Sequence, residues 1–177
     1  PSMHYPYQPN YCEENIWHLC HARQPEAGQV IVVSSMEKAV PVYFQRAAPS
    51  PLLPVVWDYH VFYLSPGEQP LVFDPDSLLG FPVAAGAYFR RSFPAEALRL
   101  FPYEPLLRVV PAGKWLQRFY SDRSHMRGEG GKWLATPPDW PPVTPANGVP
   151  LQKILDFSDK SFGRVVSLAS FTASFKN

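Results

Sequence analysis

The chain has 177 residues, 46% of them hydrophobic, with 16 basic and 15 acidic side chains and a formal net charge of +1. That length supports one domain with a sizeable core, and the near-neutral balance argues against a nucleic-acid or polyanion binder. No apolar run is long enough to span a membrane and no secretory signal is visible, so the expectation is a monomer of the cytoplasm, and of the nucleus as well, with no membrane partner.

The chain opens Pro1-Ser2-Met3, where Met3 reads as the native start and residues 1–2 as a cloning remnant. Residues 1–10 are expected to be an N-terminal extension, and 11–177 a single catalytic domain. From Tyr11 a helical pattern begins: Ile16, Leu19 and Cys20 recur at helical spacing, with Trp17 beside them. Asn10 and the acidic pair Glu13 and Glu14 suit the helix N-terminus. Cys12 falls on the first turn, where the helix dipole favours a thiolate, although the two glutamates oppose it. Cys20 lies eight residues on, roughly 12 Å along the axis. A disulfide needs Cα atoms within about 7 Å, so free thiols in a reducing compartment are the natural reading. Cys20 itself reads as a small buried hydrophobe. His18 and His21 fit no zinc spacing and read as helix-surface residues, so no metal site is expected.

Residues 29–34 form an apolar run that predicts a buried strand, and residues 39–45 alternate and predict its neighbour, with a turn at Met36-Glu37-Lys38. Pro41 places the second strand at an edge or bulge. Twenty-two prolines predict a turn-rich chain, and residues 47–54 form the first such loop. Val55-Val56-Trp57-Asp58-Tyr59-His60-Val61-Phe62 then reads as one strand of β-branched and aromatic residues. A histidine and an aspartate interrupt it, and polar groups in a buried strand need partners. A second strand, residues 71–74, follows a turn at Ser65-Pro66-Gly67-Glu68. A hairpin symmetric about Gly67 pairs Phe62 with Val72 and His60 with Asp74, bringing a carboxylate to the imidazole. That is the base-and-orienter half of a catalytic triad. Asp58, on the same predicted strand face as His60, and Asp76 are reserve orienters.

Residues 80–92 are ambiguous, 95–101 predict a short helix and 106–110 a strand. Residues 113–120 are helical, with Trp115, Leu116 and Phe119 on the buried side. Ser121-Asp122-Arg123-Ser124-His125-Met126 follows as a helix-terminating loop with an internal Asp–Arg pair. Residues 136–150 form a proline-dense surface loop, 151–157 a helix, 164–166 a strand, and 167–175 a closing helix or turn. Trp57, Tyr59 and Trp115 are core aromatics by default. The picture is one α+β domain with a mostly antiparallel sheet and packed helices. No glycine-rich phosphate loop is present.

The order Cys on a helix start, His on a strand and Asp on the next strand is that of papain-like and transglutaminase-like cysteine hydrolases. The motifs are more specific. Tyr11-Cys12-Glu13-Glu14-Asn15-Ile16-Trp17, Trp57-Asp58-Tyr59-His60-Val61, Asp74-x-Asp76 with Leu79-Gly80-Phe81-Pro82, and residues 121–126 resemble the protein N-terminal glutamine amidohydrolase family, from about Tyr11 to Phe171. The resemblance implies a triad of Cys12, His60 and Asp74, no cofactor, and deamidation of an N-terminal glutamine of proteins or peptides to glutamate and ammonia. It also implies that the product feeds arginylation and the N-degron pathway. The hairpin argument reaches the same His–Asp pair independently. Glu14, Asp58, Asp122 and Ser124 are candidate substrate-binding residues from the matching motifs. A transglutaminase, a cysteine protease or a non-catalytic module that binds protein N-termini is the alternative.

Overall fold

A strand covered on both faces is apolar nearly throughout, and β1 (Gln29–Ser34) meets that condition: Val30, Ile31, Val32 and Val33 are all fully buried. It runs through the middle of a six-stranded sheet in the computed structural model, which describes residues 4–175. The other members are β4 (His60–Leu64), β5 (Leu71–Phe73), β6 (Val83–Ala84), β7 (Leu106–Pro111) and β8 (Arg164–Ser167). Two further strands, β2 (Val40–Val42) and β3 (Val55–Trp57), make a separate two-stranded sheet. The large sheet has the order β6-β5-β4-β1-β7-β8, and every neighbouring pair in it is antiparallel.

Alternation along β1 and β4 sends side chains to two cores. Val30, Val32, Val61 and Tyr63 pack with α1 (Cys12–Ala22), through Ile16, Leu19 and Cys20. Ile31, Val33, Phe62 and Leu64 face the other side, where α2 (Ala85–Ser92) presents Tyr88 and Phe89. A short α3 (Ala95–Leu100) follows α2. Trp115 of α4 (Ala112–Arg118) stacks on Phe119 at 4.8 Å beneath α1. The chain closes with α5 (Leu151–Ile154) and α6 (Leu168–Thr172), the latter capped by Ser167 Oγ, which accepts from the Ser170 amide. Arg108, fully buried in β7, donates to the carbonyls of Ile154, Asp156 and Phe162 and so pins the C-terminal loop. Among the described residues no helix is long and apolar enough to cross a membrane.

The result is one α+β domain with a mostly antiparallel sheet, as the sequence predicts, with four local corrections. First, residues 55–62 are not one strand. They break at Asp58 and Tyr59, β3 leaving for the small sheet and β4 starting at His60; Ser34 Oγ donates to the Asp58 carbonyl at the break. Asp58 therefore does not share a strand face with His60. Second, β2 is shorter than the predicted 39–45 and does not pair with β1. It pairs with β3, Pro41 opposite Val56, while β4 and β7 occupy both edges of β1. Third, the hairpin register is shifted by two: Leu64 pairs with Val72 and Tyr63 with Phe73. The Ser65 amide bonds the Leu71 carbonyl and the Leu71 amide bonds Ser65 Oγ, so the loop closes one residue later than a turn centred on Gly67. Fourth, Asn10 does not cap α1. It takes a left-handed φ of 70° and leaves Tyr11 as the N-cap without a side-chain hydrogen bond. Residues 1–3, with the predicted native start, lie outside the described residues.

Candidate active site

Three element ends meet at one end of the strands of the large sheet, beside its interior members β4 and β5. Cys12 is the first residue of α1, His60 the first of β4, and Asp74 the residue that follows β5. A shift of two in register preserves the face of a strand, so Asp74 still comes to the His60 side, as a diagonal neighbour. His60 Nε2 lies 2.9 Å from Asp74 Oδ2, with both side chains buried. The bond to a carboxylate sets the tautomer: Nε2 carries the proton and Nδ1 keeps its lone pair. Cys12 and His60 both line a cavity of about 330 Å³ with Asn10, Trp57, Tyr59 and Asp76.

Asp74 is held from several sides. Oδ2 also accepts from Tyr88 Oη at 2.7 Å and from Gln45 Nε2 at 3.2 Å, and Oδ1 accepts from the Asp76 amide at 3.0 Å. Gln45 in turn accepts from Trp57 Nε1 at 3.2 Å, and the Trp57 ring lies parallel to the imidazole at 5.5 Å. Burial alone would push the Asp74 carboxyl up, but the imidazole charge and these donors hold it below the usual carboxylate range. Burial pulls the imidazole down, and Asp74, aided by Asp76 and Glu13, outweighs that, so His60 titrates above an ordinary histidine. Nothing in the sequence marked Gln45 or Tyr88. One sits in a misassigned strand and the other in the ambiguous stretch 80–92.

The thiol has the opposite character. Burial, then the charges of Glu13 and Asp76, push Cys12 well above an ordinary cysteine, and the backbone at Val61 opposes them. Its Sγ lies 3.5 Å from Glu13 Oε2. Burial and these carboxylates favour the thiol form of Cys12, against the preference of a helix start for the thiolate. Asp76 is buried, accepts from Tyr7 Oη at 2.5 Å, and is raised by burial. His60, Asp74 and Asp76 bring a ligand atom each within 4.8 Å of one another, an arrangement already held together by the hydrogen bonds just described. Burial pushes the Cys20 thiol up to about 12, and both cysteines are free.

The remaining predicted residues separate. Asp58 is exposed and lines the cavity. Glu14 is buried and points away into a bidentate pair with Arg123 (2.7 and 3.0 Å), with Trp140 Nε1 at 3.1 Å. Arg123 therefore pairs with Glu14, not with Asp122 as the sequence suggests. Asp122 accepts from the Ser124 amide at 2.9 Å, and neither Asp122 nor Ser124 lines the cavity. Their neighbours do: His125, Met126, Leu134 and Ala135 form its far wall. Trp57 and Tyr59 border the cavity as well as packing against the cores, whereas Trp115 is wholly core.

Similarity to known proteins identifies the family. Residues 7–175 match the family described as N-terminal glutamine amidase. The protein N-terminal glutamine amidohydrolase of Homo sapiens is 34% identical, the match covering 96% of this chain and 87% of the relative. Those of Drosophila pseudoobscura pseudoobscura and Bos taurus are 35% and 33% identical, covering 93% and 97% of this chain and 85% and 87% of each relative. A family match over nearly the whole length, with relatives above 30% identity, settles the assignment: the chain belongs to the N-terminal glutamine amidase family.

Proposed function

We propose that this chain hydrolyses the side-chain amide of glutamine at the N-terminus of proteins or peptides, releasing ammonia, with Cys12 as nucleophile, His60 as acid–base and Asp74 as its orienter. The observation that carries the proposal is the Asp74-held imidazole lining one cavity with a helix-start thiol, in a chain of this family.

Because burial and the neighbouring carboxylates favour the thiol, attack and proton transfer go together. The Cys12 proton passes to His60 Nδ1 while Sγ adds to the side-chain carbonyl carbon. The Cys12 amide at the start of α1 and the Asn10 carboxamide on the cavity wall are donors for the oxyanion. Collapse breaks the C–N bond as His60 gives its proton to the departing nitrogen, leaving ammonia and a γ-glutamyl thioester. His60 then takes a proton from water, whose hydroxide attacks the thioester and releases glutamate and the thiol. The partners are proteins or peptides that begin with glutamine; a monomer in the cytoplasm, supplying the N-degron pathway, fits that reading.

The test offers four peptides of otherwise identical sequence: Gln-first, Asn-first, acetyl-Gln-first and internal Gln. Ammonia release and the amide-to-acid mass shift should appear with the first alone. Comparable release from the acetylated peptide would point to a general glutamine deamidase or transglutaminase, backbone cleavage to a protease, and binding without turnover to a recognition module.

A further inference from the structure

We propose that Glu13 is the carboxylate that receives the substrate's α-ammonium, held beside the thiol by Tyr59 and His125. The proposal rests on the N-terminal-glutamine reading above and names the group that enforces it. Glu13 and Glu14 are adjacent acids, both buried, with opposite circumstances. Glu14 is saturated by Arg123 and Trp140. Glu13 Oε2 accepts from the Cys12 thiol at 3.5 Å and Oε1 lies 3.9 Å from His125 Nε2, with the Tyr59 hydroxyl also beside the carboxylate, so no close cation pairs with it. Tyr59 Oη is itself 3.3 Å from His125 Nε2, and these two residues line the cavity with Cys12, whereas the buried Glu13 carboxylate lies behind that lining, against Cys12 and His125. A buried carboxylate without a cation is costly, and burial duly raises Glu13 above an ordinary glutamate. The substrate brings the missing cation.

The reach fits glutamine. Its α-nitrogen and δ-carbon are four bonds apart, about 5 Å when extended. Attack places the carbon about 3–3.5 Å from sulfur, and an ammonium–carboxylate bond spans about 2.7–2.9 Å. With Glu13 Oε2 and Cys12 Sγ 3.5 Å apart, one glutamine closes that ring. An internal glutamine offers a neutral amide instead. The rival carboxylates fit less well. Asp58 is exposed and solvated. Asp76 is engaged by Tyr7, and its ligand atom lies within 4.8 Å of those of His60 and Asp74, so an ammonium there would crowd the imidazole that must become cationic.

A consequence follows for the nucleophile. Among the titratable groups around the thiol, Glu13 and Asp76 hold its proton on, Tyr59 and Tyr88 present phenols that interact with its charge, and His60 is the proposed acceptor. Arrival of the ammonium cancels the Glu13 charge and eases transfer to His60 when substrate is present.

The test uses purified full-length protein carrying Cys20→Ala, so that iodoacetamide reports on Cys12 alone. Glu13→Gln, Glu13→Asp, Asp58→Asn and Asp76→Asn are compared on Gln-first and acetyl-Gln-first peptides, and the alkylation rate without peptide is followed against pH. In Glu13→Gln, KM for the Gln-first peptide should rise by about 10–100-fold, the scale of a lost charged hydrogen bond. Its preference over the acetylated peptide should fall toward one. Its alkylation profile should shift to lower pH, because the thiol has lost an anionic neighbour; since unfolding would also expose this buried thiol, the profile is read on protein whose far-UV spectrum and Tm show it folded, with Asp58→Asn as the unshifted control. Glu13→Asp should keep part of the preference, and Asp58→Asn and Asp76→Asn should keep it whole. Undiminished preference in Glu13→Gln, collapse in Asp58→Asn or Asp76→Asn instead, or an unshifted alkylation profile overturns the role of Glu13 while the parent reading stands. A wild-type protein equally active on both peptides overturns both.

Discussion

The two walls of the cavity are built differently. The imidazole wall rests on strand ends and a helix: His60 lines the cavity, Asp74 and Tyr88 are buried behind it, and Asp74 is bonded by an imidazole, a phenol, an amide side chain and a backbone N–H. The opposite wall comes from the segment holding His125, Met126, Leu134 and Ala135, with no long helix or strand of its own. That segment is tied to α1 by the Glu14–Arg123–Trp140 contacts and by Tyr11 Oη to the Ala135 carbonyl at 3.1 Å. The difference teaches a division of labour. Proton transfer needs one tautomer held to fractions of an ångström, and the wall that performs it is over-determined. Recognition of a free chain end needs a charge and room, and the wall beside Glu13 leaves both.

The largest effect should come from breaking the saturated wall. In Asp74→Asn an amide nitrogen facing His60 would donate, turning the imidazole so that Nδ1 carries the proton and cannot accept one from Cys12. An orienter change of this kind costs about ten-thousand-fold in a serine protease, and a fall in kcat of that order is expected while the Gln-first peptide still binds. Near-normal kcat in Asp74→Asn, with Asp76→Asn or Asp58→Asn inactive, would reassign the orienter.

Loosening the opposite wall should do less to chemistry and more to stability. Glu14 and Arg123 are a bidentate pair with side chains 1% and 13% exposed. Removing one partner of a buried pair costs about 3–5 kcal/mol, much of it from the stranded charge. Glu14→Gln should lower Tm clearly and raise KM more than it lowers kcat, and the double change with Arg123→Met should recover part of the Tm. A kcat loss as large as that of Asp74→Asn would place Glu14 in the chemistry.

The smallest effect sharpens the comparison through pH. Burial raises the Glu13 carboxyl, so the folded state binds its proton more tightly than the unfolded chain. The ionised form therefore costs stability above the folded pKa, and that cost fades as pH falls toward about 4.3. The Tm of Glu13→Gln relative to wild type should improve from acid to neutral pH. Asp74 runs the other way: with its carboxyl held low and His60 held high by one another, their mutual stabilisation spans the window between the two folded-state values. It is lost as pH falls through the first or rises through the second. The Tm penalty of Asp74→Asn should thus be largest inside that window and shrink in acid. Parallel pH profiles for the two variants would show that the walls do not differ in this way.

Much of this was legible in the chain. The apolar runs of β1, β4 and β7, the helix after Tyr11 and the His60–Asp74 contact follow from residue types and spacing. What was hidden depends on partners remote in sequence. Whether residues 55–62 are one strand or two is decided by β2 capturing β3. The register depends on Ser65 closing its own loop, and the error was harmless to the contact because it was an even number of residues. Gln45 and Tyr88 reach Asp74 from segments whose own patterns carry no sign of it. Glu13 and Glu14 are indistinguishable as letters; Arg123 and Trp140, more than a hundred residues away, set them apart.

The central claim is that Cys12 carries the γ-glutamyl group, and rapid-quench mass spectrometry of intact protein mixed with the Gln-first peptide tests it directly. The expected species is enzyme plus peptide minus ammonia, mapped to Cys12, present during turnover and gone when substrate is exhausted. It should be missing in Cys12→Ala, which should be folded and inactive, and retained in Cys20→Ala. Ammonia release at the wild-type rate by Cys12→Ala, or an adduct on Cys20 in its place, would contradict the account.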